Sequence, residues 1–169
     1  MEEIKTEGQK LQEQLFYKKK NVYDKASEDE LKQCFDFCEG YKNYLNISKT
    51  EREFIANAEK LAVSAGFTSL EELIKQNKRA LPGTKVYYIN KKKSAVFAVI
   101  GKRPLEDGTT IIGAHIDSPR IDLKPNPLYE DTELALLKTH YYGGIKKYQW
   151  LTVPMAIHGV LVKGDGTTV

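Results

Sequence analysis

Apolar positions in the first part of the chain recur at helical spacing. Further on they switch to the shorter period of strands. Leu11 and Leu15 share one face of a polar lead-in over residues 1–24, which predicts a helix there. Ser27 and Glu30 have the S-x-x-E spacing of a capping box, and Leu31, Phe35, Cys38 and Leu45 follow as a helical stripe. Thr50 and Glu53 repeat the box ahead of Phe54, Ala58, Leu61, Ala62 and Ala65, with Gly66 placed as the C-terminal stop. A third box, Ser69 and Glu72, opens a shorter helix that runs to about Gln76.

The texture changes at "LPGT", residues 81–84. "KVYYIN" and "SAVFAVIG" are β-rich runs joined by Lys91 to Lys93, the pattern of a hairpin. "KRPLEDG" reads as a loop, and "TTIIGAH" as a buried strand. Helices followed by strands imply an α/β layer arrangement in which helices cover a sheet. "KPNPLYED", with two prolines, reads as a loop and a domain boundary. "ELALLKTHYY" and "WLTVPMAIHGVLVKG" read as strands separated at Gly143 and Gly144. Asp165-Gly166 is a favoured hairpin turn, so a returning strand is expected to begin just where the sequence stops. That placement predicts a piece of a longer protein.

Composition narrows the function classes. A chain of 169 residues holds one domain, or one domain and part of another. With 41% apolar and 29% charged residues it is globular in character, and too apolar for a disordered chain. The net charge of +3 is a mild excess that gives only weak support to a nucleic-acid or membrane partner, and neither is expected. Lys18 to Lys20, and Lys91 to Lys93 near Tyr87 and Tyr88, read as solvated helix and turn positions. "MEEIKTEGQK" has no apolar core of a secretory signal, and no apolar run approaches the roughly 20 residues of a membrane span. The expectation is a cytoplasmic protein with no membrane partner. Cys34 and Cys38 lie one helical turn apart, which disfavours a disulfide and predicts two small core residues.

Candidate chemistry centres on "IIGAHIDSPRIDLKP", residues 111–125. On a strand, His115 and Asp117 point the same way while Ile116 points into the opposite layer. That suits a metal ligand and the carboxylate that holds its ring. Pro119 would end the strand and leave the pair at its C-terminal edge, where open α/β sheets hold their sites. The bland alternative is a histidine hydrogen-bonded to an aspartate for structure alone, because H-x-D by itself is a weak motif. His140 and His158 read as structural or exposed histidines. Ser118 lacks the G-x-S-x-G surroundings of a nucleophile.

The wider string is more specific. "GAHIDSPRIDLKP", then "HYYGGIKKYQWLTVPMAIHGVLV", resembles the aspartyl aminopeptidase family of zinc metallopeptidases, most closely over residues 109–163. The resemblance implies that His115 is a zinc ligand, that Asp117 is the catalytic carboxylate tuning it, and that Ser118 and Pro119 shape the loop. It implies the first part of an α/β catalytic domain over residues 1–120, with a mixed sheet. The opening of an inserted β-rich dimerisation domain would follow over residues 121–169. The implied activity is removal of N-terminal residues from peptide substrates, by a homo-oligomer with two zinc ions per site. The remaining ligands and the glutamate base would lie beyond Val169: no Glu-Glu-x-G follows residue 119, and Glu71-Glu72 precedes His115. The chain alone is therefore expected to be inactive. Trp150 is followed by "LTVPM" rather than the family's acidic–basic pair, which implies a branch without strict preference for acidic residues. The competing expectation is a truncated, non-catalytic oligomerisation module, in which "ELALLKTHYYGG" matters more than His115.

Overall fold

The computed structural model describes residues 5–169. They form two compact units, one ending at Lys42 and the other spanning Asn43–Val169.

The first unit contains helix α1 (Glu7–Leu15) and most of helix α2 (Glu28–Asn46), which crosses the division. Helix α1 starts at a capping box that the sequence pattern did not single out. The Thr6 hydroxyl accepts from the Gln9 backbone N–H, and the Gln9 side chain accepts from the Thr6 N–H. The predicted Ser27/Glu30 box is present at the start of α2, at 2.8 and 3.2 Å. Cys34 and Cys38 are free thiols, as expected, but both are exposed instead of lying in a core. Phe35 and Phe37 on the same helix are exposed too, so no packed layer of described residues covers that stretch.

In the second unit, helix α3 (Glu51–Ser64) has both predicted ends. Thr50 and Glu53 form the capping box, with Glu53 N–H 3.2 Å from the Thr50 hydroxyl. At the far end Phe67 N–H reaches Ala62 O and Gly66 N–H reaches Val63 O, a Schellman closure. Gly66 adopts the left-handed conformation this requires, with φ +82°. Strands β1 (Thr68–Ser69), β2 (Lys85–Asn90) and β3 (Ser94–Val99) form a sheet in that order. The first pair is parallel and the second antiparallel, giving the expected mixed sheet. Helix α4 (Leu70–Lys75) follows β1, without the predicted side-chain cap. Ser69 is instead committed to the ladder, opposite Tyr87. Helix α3 lies on β2 and β3, and Ile55, Ala62 and Val86 form the buried apolar core. Phe67 meets Phe97 edge-on at 6.0 Å, and the Tyr87 hydroxyl donates to Glu59 at 3.0 Å.

A separate two-stranded ribbon pairs β4 (Arg120–Asp131) with β5 (Leu134–Tyr142). "KPNPLYED" is thus mostly strand and not a loop. The register moves from Leu123↔Thr139 to Leu128↔Leu137, so residues 124–127 bulge against Lys138. Two prolines that lack N–H donors, flanking Asn126 at φ +54°, suit such a bulge.

The expected strand "TTIIGAH" is not formed; residues 109–119 are irregular. Apolar character alone does not make a strand, because a ladder needs a neighbour, and no described strand pairs with this segment. "WLTVPMAIHGVLVKG" also differs. Its tryptophan ends a short helix, α5 (Lys147–Trp150), and the rest is irregular apart from a bridge between Val162 and Thr168. The Asp165-Gly166 turn is present, with Gly166 at φ +83°, and Thr167 to Val169 already return along residues 161–163. No helix of the described residues is long and apolar enough to cross a membrane.

Candidate metal centre

Pro119 and Gly143 bring the two sequence motifs together. Gly143, at φ +73°, follows β5, and a Cβ added there would lie 3.4 Å from the Pro119 backbone. The last ladder pair of the ribbon, Arg120 opposite Tyr142, thereby stands beside the HIDSP segment.

From that position the Tyr142 hydroxyl donates to Asp117 Oδ2 at 2.7 Å. The other carboxylate oxygen, Oδ1, lies 3.1 Å from His115 Nδ1, and the Asp117 carbonyl is equally close to the same nitrogen. A carbonyl and a carboxylate can only accept. Both contacts therefore place a proton on Nδ1, and in the neutral imidazole that leaves the Nε2 lone pair free. His115 is 84% exposed at its side chain, so that lone pair is accessible. Asp117, at 35%, is the half-buried anchor. The Tyr142 hydrogen bond, ahead of smaller contributions from its own backbone and from His115, holds the Asp117 carboxyl below the usual range against the opposing effect of burial. The same bond raises Tyr142 above its ordinary value.

Arg120 braces the arrangement from the other side. Its guanidinium lies 4.1 Å from the Tyr142 ring centre, while Nε donates to Asp122 at 2.8 Å. A second guanidinium nitrogen donates to Glu51, in the first turn of α3, at 3.0 Å. Sequence reasoning named His115 and Asp117 and missed Tyr142, Arg120 and Glu51. Tyr142 lay within the YYGG motif, but its role depends on the β4–β5 register, which the bulge at residues 124–127 makes unreadable from strand period alone.

The other two histidines lie elsewhere. His140 Nδ1 contacts the Tyr141 carbonyl at 2.7 Å, and His158 Nδ1 contacts Glu53 at 2.8 Å. Among the described residues no group of three His, Cys, Asp or Glu side chains is placed to hold a metal ion. The donor set fits zinc in one respect, an outward imidazole nitrogen backed by a carboxylate, and supplies one ligand of the roughly three that hydrolytic zinc takes from protein.

Residues 44–168 match the family model described as aminopeptidase I zinc metalloprotease (M18). The chain belongs to the M18 family. A probable M18 family aminopeptidase 1 of Clostridium acetobutylicum is 51% identical over 150 residues, covering 89% of this chain and 32% of the relative. The crystal structure of aminopeptidase I from Borrelia burgdorferi superimposes with a TM-score of 0.81 at 45% identity, covering 89% of this chain and 36% of that one. For aminopeptidase I from Clostridium acetobutylicum the TM-score is 0.74 at 50% identity, with 92% and 34% covered. The M18 chain described here thus spans about a third of the length of the relatives it matches. Its mixed α/β architecture is that of the N-terminal part of an M18 peptidase.

Proposed function

We propose that this chain supplies one zinc ligand, His115, and its supporting carboxylate, Asp117, to an aminopeptidase that removes N-terminal residues from peptides. The observation that carries the reading is the pair of contacts from Nδ1 to Asp117, which free Nε2 for a metal. Asp117 orients the imidazole and, as an anion, raises its basicity as a ligand. When bound, zinc would polarise the scissile carbonyl and lower the pKa of a bound water. The further ligands of a two-metal site and the general base come from residues beyond Val169, so residues 1–120 form the first part of the catalytic domain. Residues 121–169 open the β-rich domain through which the whole protein forms a homo-oligomer. Ile111 and Ile112, 84% and 93% exposed, support the presence of further chain over this segment, since a run so apolar suits burial. The absence of an acidic–basic pair after Trp150 favours a branch without strict preference for acidic residues. The reaction site would lie in the cytoplasm.

The test is His115→Ala in the full-length protein that carries this chain, with bound zinc and aminopeptidase activity both measured. Loss of activity and of zinc, with the circular dichroism spectrum unchanged, is the expected result. A fully active, zinc-replete variant would falsify the reading.

A further inference from the structure

We propose that Tyr142 is a positioning residue of the metal site, acting through Asp117 to fix the tautomer and direction of the His115 ring. The inference rests on the metal-ligand reading of His115, but its own claim concerns the hydrogen-bond chain from β5 to that ring.

The geometry is a relay of two bonds. The Tyr142 hydroxyl spends its one proton on Asp117 Oδ2 at 2.7 Å. A carboxylate held at one oxygen cannot rotate freely, so Oδ1 stays directed at His115 Nδ1, 3.1 Å away. Without that anchor the carboxylate would sample several rotamers, leaving only the Asp117 carbonyl, also 3.1 Å from Nδ1, against the preference of an imidazole in water for the proton on Nε2, the nitrogen the metal would need bare. Tyr142 is itself over-determined. It is paired with Arg120 in the ladder, covered by the Arg120 guanidinium at 4.1 Å, and followed by Gly143 against Pro119. Arg120 is in turn held by Asp122 and Glu51. A rigid ribbon end therefore sets the orientation of a side chain in an irregular segment, which could not set it alone.

The experiment is long-range proton–nitrogen NMR on the imidazoles of the 169-residue chain, which has three histidines, with zinc ions added in a second arm. The wild type should show His115 mainly protonated at Nδ1, with Nε2 the nitrogen that zinc perturbs. Tyr142→Phe keeps the ring over Arg120 and removes only the hydroxyl. It should shift His115 toward the Nε2-protonated form and weaken the zinc response several-fold, while His158 signals stay in place. An unchanged His115 tautomer in Tyr142→Phe overturns the proposal. If that variant loses the His158 signals as well, Asp117→Asn decides instead: the same tautomer shift supports the relay, and no shift overturns it. A full-length His115→Ala protein that keeps its zinc, with the tautomer shift still present in Tyr142→Phe, sinks the metal reading and leaves the positioning intact.

Discussion

The Arg120 guanidinium lies 4.1 Å from the centre of the Tyr142 ring, and the two residues face each other as the last pair of the β4–β5 ladder. One side chain thus joins three features: the ribbon end, the first turn of α3 through Glu51, and the HIDSP segment through Tyr142. A lysine in its place would keep the charge but lose the planar fork that reaches Glu51 and Asp122 together.

Arg120→Lys should therefore destabilise the second unit by about 1–2 kcal/mol, from the lost stacking and the weakened, partly exposed ion pairs. Denaturant unfolding at neutral pH, compared with wild type, measures it. An effect near zero would mean that the guanidinium contacts are individually dispensable.

Glu53 gives a pH prediction. Burial raises its carboxyl, and that effect is outweighed by the hydrogen bond to His158 and by the backbone N–H groups of Lys49 and Thr50, so the net shift is below 4.5. A carboxyl depressed on folding contributes stability above its unfolded value, and the contribution disappears as pH falls through the folded one. Stability should thus decline below about pH 4.5. Glu53→Gln should be less stable than wild type by about 1 kcal/mol at neutral pH. The gap should narrow on acidification, as melting temperatures across the acid range would show. Parallel curves would assign the acid limb to other carboxylates.

The helical half of this chain was legible because its signals are local. Ser27/Glu30 and Thr50/Glu53 lie three residues apart, and the bonds they make involve nothing distant. The β2–β3 hairpin was legible for the same reason. Residues 109–119 were not, since strand formation depends on a neighbour that a single run does not specify. Of the candidate site, the H-x-D spacing singled out the proposed ligand and its carboxylate, and the two side chains do meet, in an irregular segment rather than on a strand. Tyr142 was hidden because its contact with Asp117 spans 25 positions.

Cys34 and Cys38 were expected in a core and are exposed. Both should react with a thiol-specific chromogenic reagent in the folded chain, at rates close to those in denaturant. Retention of two slow thiols until unfolding would show that the stretch of α2 holding them is covered in solution.

The β4–β5 turn offers a stabilising change. Asp131 pairs with Leu134, leaving a two-residue loop in which Thr132 and Glu133 both have positive φ, at 49° and 63°. Two-residue hairpins of this hand favour Asn-Gly, because each L-residue with a Cβ pays roughly 1–2 kcal/mol in the left-handed region. Thr132→Asn with Glu133→Gly relieves much of that cost. The larger conformational freedom of glycine in the unfolded chain offsets part of the gain. The double variant should be more stable by about 1 kcal/mol, measured by denaturant unfolding, without moving the ladder that aligns Arg120 with Tyr142. If stability instead falls, the bond from the Glu133 N–H to Glu130, 2.8 Å in this structure, depends on the present turn more than the strain in that turn costs.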